Sequence, residues 1–195
     1  MDTYLKHIIN RIDRSSEEAG RSFGKLSGNQ LNWKPGPQQW SIGQCLEHLI
    51  VSNRQYFPQL KELASNTKQF TFWERLPLWP RFWGWLMLRS VTPVPKQKLK
   101  APKVFEPHES QVVPEIVQLF ITHNQQLIQH IRNTRNQDYD RPHITSPAAR
   151  FVTYSLRDAF TILANHEERH LLQARRVMSL EGFPKEVGGM LNIER

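Results

Sequence analysis

Apolar residues along the first part of the chain recur at helical spacing. Leu5, Ile8, Ile9, Ile12, Ala19, Phe23 and Leu26 are separated by threes, fours and their sums, which predicts an amphipathic helix over about 3–26. A turn at Gly28 and Asn29 and the stretch LNWKPGPQQW, whose prolines and glycine forbid continuation, separate it from the next. The second helix opens on a capping box, Ser41 with Gln44, and Trp40 with Cys45 has the spacing of a hydrophobic staple. Ile42, Cys45, Leu46, Leu49 and Tyr56 mark its buried face to about residue 64, with Pro58 placed to kink or stop it.

The third helix, over about 113–135, accommodates Pro114 in its first turn. Ile116, Val117, Phe120, Ile121, Leu127, Ile128 and Ile131 form its stripe, and Asn124 is the polar interruption. The fourth spans about 155–180, capped by Ser155 with Asp158 and ended by Gly182 and Pro184. Leu156, Ala159, Phe160, Leu163, His166, His170, Ala174 and Val177 fall on its apolar side. No run of residues alternates as a strand does, and no internal repeat is present. Four amphipathic helices predict an all-α, antiparallel four-helix bundle, with 1–195 as a single domain.

The connection between the second and third helices, about 66–109, is long for a compact domain, and its centre reads FWERLPLWPRFWGWLMLRS. It holds Trp73, Trp79, Trp83 and Trp85, four of the chain's six tryptophans. A membrane span needs about 20 uninterrupted apolar residues. Glu74, Arg75 and Arg81, with Pro77 and Pro80, interrupt this one. The segment is expected to cover one end of the bundle. A substrate lid, a dimer surface and a membrane-surface contact are the further readings, in that order.

Composition narrows the class. A hydrophobic share of 38% and a charged share of 23% fit an ordinary globular protein. Cys45 stands alone, which excludes an internal disulfide and a cysteine-built zinc cluster. The polar, patterned start MDTYLKH does not read as a leader, so a cytoplasmic protein is expected. A net charge of +8 raises nucleic-acid binding. The densest basic cluster, Lys96, Lys98, Lys100 and Lys103, matches no groove-reading motif, and a solvated basic surface or an anionic small substrate suits it better.

Candidate chemistry lies in NHEERH, residues 165–170. His166 and His170 sit four apart on the apolar stripe, so their rings stack along one face and can share an ion. Hydrogen bonding or exposure at a bundle end satisfies the same pair, and the spacing leaves both readings open. A third ligand must come from another helix; His48 on the second is the leading candidate and His123 on the third the reserve. His7, His108, His130 and His143 have no partner at useful spacing. Read with Glu167, the histidines also match the H-E-x-x-H peptidase signature. Glu181, Glu186 and Glu194 are the downstream carboxylates, no further histidine motif follows, and no edge strand is evident, which disfavours a peptidase. Glu167 points about 100° away from His166 around the helix and is assigned to solvent or to a supporting role. Cys45 is read as core packing.

WSIGQCLEHL (40–49) followed far downstream by NHEERHLLQARRV (165–177), with LNWKPGPQQW as lead-in, resembles the DinB-like superfamily. The resemblance covers nearly the whole chain in helix order and implies a metal-binding four-helix bundle. It implies a divalent ion, zinc or nickel, held by His48, His166 and His170. Some such proteins are transferases or isomerases using bacillithiol, mycothiol or glutathione, which implies a thiol and an electrophilic small molecule as partners. The competing expectation is a non-enzymatic module that binds metal or a small ligand and homodimerises through its tryptophan-rich segment. DNA binding is the least favoured.

Overall fold

A computed structural model describes residues 2–92, 111–141 and 143–185. The lysine cluster at 96–103, His108, the 93–109 part of the long connection, Glu186 and Glu194 lie outside them. The described elements are α1 (Thr3–Phe23), α2 (Gly28–Asn32), α3 (Ile42–Arg54), α4 (Phe57–Ala64), α5 (Phe72–Arg75), α6 (Trp79–Ser90), α7 (Ile116–Asn133), β1 (His143–Thr145), β2 (Thr153–Ser155) and α8 (Leu156–Met178). None of the described helices is long and apolar enough to cross a membrane.

Four helices form the body. α1 packs against α7 and α8, and α3 packs against the same two, so the four close a ring. Their boundaries follow local chemistry. Ser41 Oγ accepts from Gln44 N–H and Gln44 Oε1 accepts from Ser41 N–H, the box that starts α3. Ser155 Oγ accepts from Asp158 N–H at the start of α8.

Three local expectations are corrected, and the break that Pro58 allowed in the second helix is located. Where a turn was expected after α1, Ser27 and Gln30 form a second capping box and start α2. The second helix does not run to Ala64: it stops at Arg54 and restarts as α4. Pro58 has no N–H for the Arg54 carbonyl, and its ring crowds that carbonyl, so it is accommodated in the first turn of a new helix. Pro114 precedes α7 rather than lying in its first turn. The chain before α8 holds a two-stranded antiparallel hairpin in which Ile144 opposes Tyr154. Strands of three residues are too short to show as an alternation in sequence.

The core falls into two apolar clusters. One gathers Leu5, Ile8, Ile12, Leu60, Leu127, Ile131, Phe160 and Leu163 among others. The other gathers Ala19, Phe23, Cys45, Leu46, Leu49, Phe120, Leu171 and Ala174. Between them each body helix turns a buried polar residue inward: Ser15, Asn53, Asn124 and Glu167. The connection between α4 and α7 is structured in its described part. α5 and α6 lie over the hairpin, and α6 also touches α8.

Candidate metal centre

Two helices deliver three imidazoles to one point. His48 lies in the second turn of α3, behind the Ser41 capping box that sets where the helix begins. His166 and His170 lie one turn apart on α8, with ring centroids 4.6 Å apart. His48 Nε2 stands 3.0 Å from His166 Nε2, and one nitrogen from each ring falls within 4.8 Å of the others. His48 and His170 are buried and His166 is half-buried, so any opening to solvent is at His166.

The arrangement fits a metal. Nitrogens sharing one zinc ion at about 2.0–2.1 Å must themselves approach to about 3.4 Å, close to the observed His48–His166 separation. Burial disfavours the imidazolium form and holds His166 and His170 well below the usual histidine range, and the neighbouring rings push the same way. Neutral imidazole is the form that ligates. His170 Nδ1 is buried without a hydrogen bond of normal geometry, with Gln173 beside it. Among the described residues, this is the group of ligating side chains close enough to share an ion.

Trp40, the residue before the α3 cap, walls the site. Its ring lies 4.7 Å from that of His48 and is stacked 5.7 Å from that of His170, so one indole orients imidazoles from two helices. In the sequence Trp40 stands at a staple position and at the head of the WSIGQCLEHL element that ends beside His48, but neither reading placed its ring against the histidines.

Glu167 corrects an expectation. It is fully buried, facing neither solvent nor the histidines. Oε1 accepts from Asn53 Nδ2 at 2.9 Å and Oε2 from Asn124 Nδ2 at 3.1 Å, tying α8 to α3 and α7. Burial pushes its carboxyl up to about 8, against the downward pull of hydrogen bonds from Ser15, Asn53 and Asn124. With both oxygens so held, the glutamate of the H-E-x-x-H reading does not serve the imidazole cluster. Its neighbours are equally committed: Arg11 bonds Asn165 and Glu168, and Arg169 Nη1 donates to Ser90 O at the end of α6.

His123, the reserve ligand, is not brought to the site. It is buried against Phe57, their rings stacked at 5.2 Å, and burial lowers it to about 4. Cys45 is fully buried in the apolar cluster, and burial pushes its thiol up to about 12, in keeping with packing. Beside His166 lies a cavity of about 70 Å³. Ser52, Asn53, Tyr56 and Ser146 give it polar groups, while Ile162, Leu163 and, from α6, Met87 supply apolar wall.

A helical body holding histidines from α3 and α8 defines the class. The DinB superfamily model matches residues 11–174, all three histidines included, and the chain belongs to that superfamily. Among individual proteins, it is similar to the uncharacterized protein YuaE of Bacillus subtilis (strain 168). The two are 26% identical over 153 residues, 78% of this chain and 85% of YuaE. Its fold resembles that of YfiT from Bacillus subtilis, described as "a probable metal-dependent hydrolase with an unusual four-helix bundle topology". That likeness has a TM-score of 0.56 at 11% identity and covers 92% of this chain and 89% of YfiT, which shows the fold.

Proposed function

We propose that His48, His166 and His170 hold a divalent metal ion, zinc or nickel, and that the protein transfers a low-molecular-weight thiol to an electrophilic small molecule. The observation that carries this reading is the convergence of three imidazoles, two of them held neutral by burial, within 4.8 Å. The ion, when bound, supplies the positive charge that lowers a thiol's pKa into the neutral range. The chain's own groups do the rest. Trp40 fixes the His48 and His170 rings, and the cavity beside His166 receives a small group while Met87 and Val91 help to exclude water. Cys45, buried and protonated, is no nucleophile, so the sulfur comes from the co-substrate. The thiolate sulfur bonds to the electrophilic carbon, the leaving group departs with its electron pair, and the thiol's proton balances it.

Hydrolysis is the second reading, favoured by the description of the structurally similar YfiT; water then replaces the thiol as nucleophile. The test is a screen of zinc- and nickel-loaded protein with bacillithiol, mycothiol or glutathione against electrophilic and ester substrates. Turnover that needs both metal and thiol supports the transferase. Turnover with metal and water alone supports the hydrolase. Stoichiometric metal without turnover in any combination leaves a metal-binding module and removes the enzyme.

A further inference from the structure

The aromatic connection presents a surface with a chemistry of its own. On its inner side α6 is seated firmly: Pro80 and Gly84 are buried, and a Cβ at Gly84 would collide with the Asp158 carboxylate. Trp79 Nε1 donates to Phe151 O at 2.6 Å, and Arg169 holds the far end through Ser90 O. On the outer side large apolar side chains remain in solvent: Phe72 is 68% exposed, Leu78 71%, Phe82 53%, Trp85 55% and Phe151 46%. Arg75, Arg81, Arg89 and Arg150 are exposed among them. The acidic residue of these segments (67–92 and 143–155) is Glu74, and it is buried, bonded to Lys68, Thr71 N–H and Thr145. The patch is thus apolar and cationic, with no carboxylate exposed among its described residues.

We propose that this face docks on an anionic membrane surface. A rigid helix of 12 residues, Trp, Phe and Leu outward and arginines beside them, suits the boundary between acyl chains and headgroups and is too short to span. Lipid phosphates complement the four arginines. A second copy meeting the same face about a two-fold axis sets arginine against arginine with no acid to receive them. Single-stranded nucleic acid, the other polyanion, binds by stacking bases on open rings. Here the exposed rings are already engaged: Phe72 is edge-on to Trp73, Phe82 and Phe151 are edge-on to Trp83, and the Arg89 guanidinium lies 5.0 Å over Trp85. Met87 of α6 and Val91, which caps its C-terminal end, line the cavity beside His166, which docking sets about one helix diameter, 10–12 Å, from the membrane.

The test is sedimentation of the full-length protein with vesicles of phosphatidylglycerol and phosphatidylcholine, or of phosphatidylcholine alone, with and without bound zinc. The proposal expects binding to the anionic vesicles about tenfold tighter or more, weakened by salt and indifferent to zinc. Two double variants at exposed positions, Phe82→Ser with Trp85→Ser and Arg81→Gln with Arg89→Gln, are each expected to weaken it about tenfold or more, with circular dichroism unchanged. No anionic preference, or equal binding by both folded variants, overturns it. So does a loss of dimer mass in the Phe82 and Trp85 variant without vesicle binding by the parent, or displacement of the vesicles by a single-stranded oligonucleotide at lower concentration.

Discussion

Two buried polar centres sit back to back on α8, one residue apart, and they are built on opposite terms. Glu167 is closed: its oxygens take amide donors from α3 and α7, with Ser15 of α1 beside them. The imidazoles of His48, His166 and His170 are open: like groups face each other, none carries a compensating charge to another, and His170 Nδ1 lacks a hydrogen bond of normal geometry. A polar group that satisfies itself inside a core ties helices together. One that needs something from outside marks where the protein meets a ligand. Sequence adjacency conceals this difference, because 100° of helix rotation separates the two faces.

The comparison is broken most forcefully at Glu167. Glu167→Ala leaves a cavity and strands the Asn53 and Asn124 amides, and is expected to cost about 3–5 kcal/mol in urea unfolding. Glu167→Gln keeps the volume and one acceptor oxygen, its new amide requiring one of the two asparagines to turn its oxygen inward, and is expected to recover part of that loss. A loss below about 1 kcal/mol for the alanine variant would remove the structural role.

His123 is a third case, with neither the donors of Glu167 nor companion ligands: both ring nitrogens are buried and unpartnered. Its folded pKa of about 4 lies below the ordinary 6.5, so the unfolded chain takes up a proton first as pH falls. Stability is therefore intact above about 6.5 and is lost between there and about 4, by up to about 3 kcal/mol. His123→Met is expected to flatten this part of the stability–pH curve and to add about 1 kcal/mol at neutral pH. Chemical unfolding of parent and variant at pH 7 and 4.5 measures both, and an unchanged slope contradicts the assignment.

A smaller effect tests the link between the open site and α6. Arg169→Ala frees the Ser90 carbonyl and is expected to cost about 1 kcal/mol while speeding hydrogen exchange at the end of α6. Faster exchange spread evenly over α8 would mean that Arg169 does not act as that latch.

Much of this was legible in the apolar periodicity, since α1, α3, α7 and α8 each carry a stripe and the caps at Ser41 and Ser155 set where two of them begin. His48, His166 and His170, the three residues that the family resemblance named, come together in the fold. The closed centre was harder to see, although its parts were present. Ser15, Asn53 and Asn124 each continue an apolar spacing (Ile12 to Ser15, Leu49 to Asn53, Phe120 to Asn124), and Glu167 follows Leu163 by four. A lone carboxylate is costly to bury, so reasoning along one helix turns it outward. Only the convergence of four helices shows that it has donors. Trp40 over two rings depends on tertiary approach in the same way.

The direct test of the open site is metal titration of chelator-stripped protein, followed by elemental analysis of parent, His48→Ala and His170→Ala. The account predicts about one ion per parent chain and none retained by either variant, with both variants still folded by circular dichroism. A folded parent that takes up no stoichiometric zinc or nickel, or a His48→Ala variant that binds as tightly as the parent, would contradict it.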